Sequence, residues 1–245
     1  RLDATWFAHH PYTKNVSPQQ RPSDPEALTM ANIAELPALL DGIAATTNRV
    51  KPGMDILNSE FGFETNPPDP HSGVPLDVQA RWNLLGELQS FLDPRIVGTS
   101  QFLLYDVPPR RKNSPGSKAY WATYQSGLFT SNGTPKPAFT SYVLPFLVVP
   151  NGTVHPETGR PVLTVWGGLR FRPEGAADVF QLQFKPADGT TDWVPLQDAL
   201  TNQPFQPDPT QPAVQVVEGY FYVPALTTPG PGKIRARWEG PQAPF

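Results

Sequence analysis

The chain has no cysteine, which excludes disulfides, thiolate metal sites and a cysteine nucleophile. Charged residues are scarce at 17%, the net charge is only −3, and the basic residues are scattered. That leaves no electrostatic footprint for nucleic acid. No apolar run approaches the ~20 residues that a membrane helix requires, so no membrane span is expected. No apolar signal region follows Arg1, and any targeting segment is expected to be absent or removed upstream. Histidines and carboxylates are not grouped as metal ligands, and nothing in the sequence asks for a cofactor.

Proline, by contrast, is abundant at 32 residues, and aromatics make up 11% of the 245. The prolines fall mostly in connections and predict stiff, ordered loops. The aromatics predict a packed core with stacking surfaces. Asn15-Val16-Ser17, Asn132-Gly133-Thr134 and Asn151-Gly152-Thr153 match the glycosylation acceptor pattern, but the two Asn-Gly pairs read as turns. The length suits one large domain or two ordinary ones.

Residues 1–149 alternate strand-like and helix-like patterns. A short apolar run, Ala4 to Ala8, ends in His9-His10-Pro11-Tyr12. Ile33, Leu36, Leu39, Leu40 and Ile43 then recur at helical spacing up to Thr47, with Pro37 marking either a kink or a first turn. A strand over 54–62, a helix from Leu76 to Leu92 and a strand from Ile96 to Asp106 follow. An aromatic segment, Tyr120 to Phe129, precedes a last helix from about Pro137 to Leu144. The βαβαβα order predicts a parallel sheet with right-handed crossovers.

From residue 150 the pattern changes. Short strands at Val162–Arg170, Asp178–Lys185, Asp192–Leu196, Val214–Val223 and Lys233–Trp238 are separated by Pro, Gly and Asp. They predict a small antiparallel β-sandwich of the immunoglobulin or fibronectin kind over 150–245.

The central strand of the first region, Met54-Asp55-Ile56-Leu57-Asn58-Ser59-Glu60-Phe61-Gly62, carries the chemistry. An enclosed strand should be nearly all apolar, yet this one ends in Asn58, Ser59 and Glu60. In parallel α/β architectures the C-terminal strand end is where active groups are placed. The flanking strands end likewise, in His9, His10 and Tyr12 and in Gln101, Tyr105 and Asp106. Parallel pairing brings these sets to one rim. A carboxylate among His, Tyr and aromatic faces suits a sugar, whose ring stacks while its hydroxyls are hydrogen-bonded.

At these residues the sequence resembles the C-terminal half of a clan A glycoside hydrolase barrel, of the family 5 or family 39 type. His10-Pro11-Tyr12 is similar to the His-x-Tyr after strand six, and Ser59-Glu60-Phe61-Gly62 to the nucleophile segment after strand seven. Tyr124-Gln125-Ser126-Gly127-Leu128 through Gly133-Thr134-Pro135-Lys136-Pro137-Ala138 looks like the segment before the last barrel helix. The resemblance covers about residues 1–146.

It implies an α/β fold, a partial (β/α)8 TIM barrel consisting of its last three βα units, followed by the sandwich. It implies a secreted retaining glycosidase with Glu60 as nucleophile, Tyr12 hydrogen-bonded to Glu60, and His10 near the scissile bond. His9, Asn58, Gln101, Tyr105 and Trp121 are the expected carbohydrate contacts, with Tyr105 or Trp121 replacing the family's usual Trp as a stacking platform.

A retaining mechanism needs two carboxyl groups about 5–5.5 Å apart, and the family's acid/base Glu has no counterpart before residue 10. Three βα units cannot close a barrel. The expectation is therefore that the N-terminal half of the barrel is missing and that this chain alone is catalytically silent. The rival reading is a non-catalytic remnant that binds glycans or a partner. Glu64 is the alternative carboxylate. His9 and His10 point to opposite strand faces, and His71 and His155 lie in unrelated loops, so no metal is expected. Arg110-Arg111-Lys112 reads as a solvated loop able to meet an acidic sugar or a phosphate. Trp82 reads as core, as do Trp166, Trp193 and Trp238, with a carbohydrate face as their alternative.

Overall fold

The computed structural model describes residues 4–171, 180–196, 215–217 and 219–238. The molecule is mixed α/β with several sheets and divides into two compact units, Arg1–Tyr142 and Val143–Phe245.

In the first unit, strands β1 (Trp6–His9), β2 (Asp55–Phe61) and β3 (Ile96–Gln101) form one parallel sheet in the order β1-β2-β3. A 3-10 helix (Met30–Glu35) and helix α1 (Leu36–Thr47) connect β1 to β2, helix α2 (Leu76–Phe91) connects β2 to β3, and helix α3 (Pro137–Val143) follows later. Pro37 sits in the first turn of α1, where its missing N–H would have had no partner anyway. Asn48 ends that helix in the left-handed region, φ 52°, a conformation Asn tolerates better than most residues.

Met30, Ile33, Leu36 and Leu40 close over Ile56, Phe61, Phe63 and Val74 to make the core, each buried side chain contributing about 1.5–3 kcal/mol. Trp82 packs against the same cluster, its ring 5.1 Å from that of Phe63.

The buried side of α2 is broader and more polar than the expected stripe. Gln79, Asn83 and Ser90 are buried along with Leu84, Leu85 and Leu88, whereas Leu92 is half exposed. These polar side chains tie the helix to the sheet and to the loops above it. Gln79 Nε2 donates to the Phe63, Ser126 and Gly127 carbonyls at 2.9–3.3 Å, and Asn83 Nδ2 donates to Gln101 Oε1 at 3.0 Å.

The β2–β3 register carries the feature that matters most for the site. Asn58 pairs with Thr99 and Phe61 with Gln101. Three steps along β2 therefore match two along β3, which inserts an extra residue at Ser59–Glu60 as a bulge. Strict alternation would put Asn58 and Glu60 on the same face. Instead Asn58 bonds Ser90 on α2, and Phe61 also lies against α2, beside Gly86. The bulge thus resets the phase and frees Glu60 from the helix side.

A Cβ at Gly86 would overlap the Phe61 ring, so Gly86→Ala is expected to destabilise the protein by about 1–3 kcal/mol. Urea unfolding reads this directly, and a loss below about 0.5 kcal/mol would mean that the ring has room to move.

In the second unit every pairing among the described residues is antiparallel. Strands β4 (Phe146–Val154), β5 (Pro161–Gly168), β8 (Gln215–Val217) and β9 (Tyr220–Leu226) form a sheet in the order β4-β5-β9-β8. Strands β6 (Phe180–Pro186), β7 (Val194–Pro195) and β10 (Gly232–Trp238) form another in the order β10-β6-β7. Val165, Leu169, Phe221 and Val223 share one buried cluster with Phe180, Leu182, Phe184 and Leu196.

The expected break at 149/150 falls inside β4, where Val149 and Pro150 pair with Thr164 and Leu163, so the second unit begins earlier. Of the expected strands, Asp178, Val179, Val214 and Glu218 lie outside the described residues. Trp166 is buried and stacked on Tyr220, while Trp193 lies against Arg235 and lines a cavity of about 750 Å3.

Candidate active site

Glu60 is the next-to-last residue of β2, and its carboxylate faces the end of β1. Tyr12 Oη donates to Glu60 Oε2 at 3.2 Å, and His10 Nδ1 lies 3.5 Å from the same oxygen. Among the described residues nothing engages Oε1. One oxygen is therefore anchored and the other is available for chemistry. Parallel pairing produces this meeting, because His9 lies opposite Asn58, which brings residues 10–12 and residue 60 out at the same end of the sheet.

Burial, and then the charge and hydrogen bond of Glu60, push the Tyr12 phenol well above its ordinary range. Tyr12 accordingly remains a hydrogen-bond donor and does not compete as a base.

An aromatic file leads away from this pair. Phe102 meets Tyr12 edge-on at 6.2 Å and Tyr124 edge-on at 5.2 Å. Gly62 lets the chain after β3 come this close, since a Cβ there would overlap the Phe102 carbonyl. The peptide between Phe102 and Leu103 is cis. Glu60, Tyr12, Phe102 and Tyr124 line a cavity of about 540 Å3, with Lys14 and Glu64 on the same wall.

Glu64 is half-buried in the loop after β2. Desolvation, followed by the charge of Asp69 and a hydrogen bond to it, pushes the Glu64 carboxyl up to about 7 against a weaker opposing bond from the Gln125 backbone. The folded protein therefore holds a proton that the unfolded chain releases near pH 4.5. Stability falls as pH rises through the window from there to about 7. The Glu64→Gln variant is expected to lose this slope, so its advantage in urea midpoint over the parent should grow from below that window to above it. A constant difference would mean that Glu64 ionises normally.

The expected contacts divide sharply. Trp121 lines a second cavity of about 580 Å3 beside the first, not the wall next to Glu60. Asn58 cannot touch a substrate, because it is fully buried and donates to Ser90 and Thr99. His9 turns from the rim and places Nε2 3.0 Å from the Leu28 carbonyl. Burial lowers its imidazole below the ordinary value. Gln101 is held at both ends of its amide, by Asn83 and by the Ser126 carbonyl. Tyr105 is exposed but stacks on Phe129, away from both cavities. Three of these residues, Asn58, His9 and Gln101, share one cause: the helix layer and the neighbouring loops claim polar groups at the ends of the strands.

Lys136 is the structural residue that sequence reasoning passed over. Buried with Asp106, it donates from Nζ to Asp106 Oδ1 at 2.6 Å, to Thr65 Oγ1 at 2.8 Å and to the Gln125 carbonyl at 2.8 Å. All three ammonium donors are used, and each ties down a residue next to the cavity linings Glu64, Tyr124 and Val107. The available signal was a lysine flanked by prolines, Pro135-Lys136-Pro137, and an aspartate closing an otherwise apolar run, Leu103-Leu104-Tyr105-Asp106.

Among the described residues no group of three or more His, Asp or Glu side chains is placed to hold a metal ion, and no helix is long and apolar enough to cross a membrane. No protein-family model matches the chain, and no curated protein or solved structure matches it.

Proposed function

We propose that this chain carries the nucleophile half of a retaining glycoside hydrolase site. The observation that carries the reading is Glu60 at the end of the central parallel strand, with Oε2 fixed by Tyr12 and His10, Oε1 free, and an aromatic file beside it. In this reading Oε1 attacks the anomeric carbon and forms a glycosyl ester as the bond to the leaving oxygen breaks. A protonated carboxyl gives its proton to that oxygen. Water, giving a proton back to that same carboxyl, then cleaves the ester, restoring the Glu60 carboxylate and releasing the sugar with its configuration retained.

The same reading takes β1 to β3 with their helices as the last three βα units of a (β/α)8 barrel, and the two antiparallel sheets of the second unit as a sandwich module. The sheet itself supports this. Among the described residues β1 and β3 are each paired on one side only, which leaves edges that further parallel strands would pair. Those completing units are the expected source of the acid/base carboxyl. The site would act on a poly- or oligosaccharide outside the cell.

The test is turnover of a panel of aryl glycosides by the polypeptide in which the barrel is complete, with the anomer first released identified by NMR. Retention is the expected result, and inversion would overturn the reading. Tight glycan binding with no Glu60-dependent turnover of any glycoside would favour the non-catalytic remnant instead.

A further inference from the structure

The cavity at Glu60 and the cavity at Trp121 share five lining residues, Glu64, His71, Ser72, Lys118 and Tyr124. They are therefore two stretches of a single cleft. We propose that the Trp121 stretch is a binding subsite for a sugar unit bearing an anionic substituent, a carboxylate or a sulfate, recognised by Arg110 and Lys118. The proposal rests on the glycosidase reading of Glu60 and names the substrate class that this cleft selects.

Aromatic surface is available at both ends of the shared wall. Tyr124 is exposed and borders both cavities, while Trp121 is only partly covered and is held in place by Nε1 donating to the Pro115 carbonyl at 3.1 Å. An indole face fixed from its edge suits stacking against a pyranose ring.

The charge in this stretch is unbalanced in favour of cations. Arg110 and Lys118 line it, and neither makes an ion pair among the described residues. Two carboxyl groups also border the cavity, but both are already committed. Asp69 is fully buried, with Oδ1 accepting the His71 N–H at 2.8 Å and Oδ2 accepting the Ser72 N–H at 3.2 Å. Glu64 is hydrogen-bonded to Asp69, and burial with that neighbour pushes its carboxyl up to about 7, toward the neutral form. The charged groups exposed to a ligand are therefore the guanidinium and the ammonium, two cations against the single buried carboxylate of Asp69. A guanidinium offers two parallel donors to a carboxylate or sulfate, which an ammonium supplements as a point charge. A neutral sugar would use neither.

The experiment is calorimetric titration of the full chain carrying Glu60→Gln, so that nothing bound is consumed. The probes are matched oligosaccharides: xylo-oligosaccharides with and without glucuronic acid branches, and chondroitin oligosaccharides with and without their sulfates. The expected result is at least tenfold tighter binding of the charged member of one pair, with the pair that responds telling carboxylate from sulfate. Arg110→Ala with Lys118→Ala should abolish that preference and leave neutral binding in place, because both side chains are exposed and make no ion pair among the described residues. Trp121→Ala should weaken charged and neutral members alike.

Equal binding of charged and neutral members, a preference that survives the double substitution, or no binding of any probe would each overturn the subsite. Loss of the charge preference with Glu60-dependent turnover intact would leave the hydrolase reading standing. A preference that depends on Arg110 and Lys118 without such turnover would do the reverse.

Discussion

In the polypeptide in which the barrel is complete, Glu60→Gln is expected to abolish glycoside turnover, with a fall of at least about a thousandfold, while the unfolding transition stays close to that of the parent. The amide keeps the shape of the carboxylate and can still accept the Tyr12 hydroxyl through one oxygen, so the β2 bulge and the aromatic file have no reason to move. What is lost is the nucleophilic oxygen itself. Tyr12→Phe should cost far less, roughly ten- to a hundredfold, because it removes one hydrogen bond to a charged group. His10 still flanks the same oxygen at 3.5 Å in that variant. Equal losses in the two variants would mean that Tyr12 takes part in bond making or proton transfer and does more than orient Glu60.

The second large effect concerns stability. Lys136→Met should destabilise the first unit by about 3–5 kcal/mol, the cost of leaving a buried charge without its partner, and this is a large share of an ordinary domain's total. Burial pushes the Asp106 carboxyl up and the Lys136 amine down, each toward its neutral form, and their pairing opposes both shifts. The pair therefore fixes geometry more than it adds net stability. Replacing both members with apolar residues, Lys136→Met with Asp106→Leu, is expected to recover most of the loss. Recovery should stay incomplete, since the Gly127 N–H now donates to Asp106 Oδ1 at 2.9 Å and would be left unmatched. Urea unfolding of both variants reads these differences. Unfolding of the double variant as early as the single one would mean that Asp106 contributes through other contacts. A recovered double variant with weakened turnover would separate the positioning of loops from the stability of the fold.

Periodicity is local, and the features it encodes could be read in advance. Pro37 fits the first turn of α1, Ile56 and Phe61 fit an enclosed strand, and strand–helix alternation fits parallel pairing. From parallel order alone, His10, Tyr12 and Glu60 had to emerge together. The register shift at Ser59–Glu60 could not be read, because a bulge is a relation between two strands and leaves no mark on either one. Without it, Asn58 and Glu60 look like neighbours on one rim, although Asn58 bonds Ser90 on the opposite side. The same limit hid Gln79, whose partners are backbone carbonyls of distant loops, and Asn83, whose partner is the side-chain amide of Gln101 at the end of β3. The role of Lys136 could not be read either, because its three acceptors lie 11, 30 and 71 residues away in sequence.

If Glu60 is the nucleophile, it forms a covalent bond with the sugar, and that bond can be trapped. A 2-deoxy-2-fluoro glycoside with a dinitrophenyl leaving group needs no proton from the acid carboxyl, so the nucleophile is assayed by itself. Incubation with the polypeptide in which the barrel is complete, followed by peptide mass spectrometry, should show one added glycosyl group on Glu60 and none in the Glu60→Gln variant. An adduct on Glu64 or any other carboxylate, or no adduct on a protein that turns over the parent glycoside, would contradict the account.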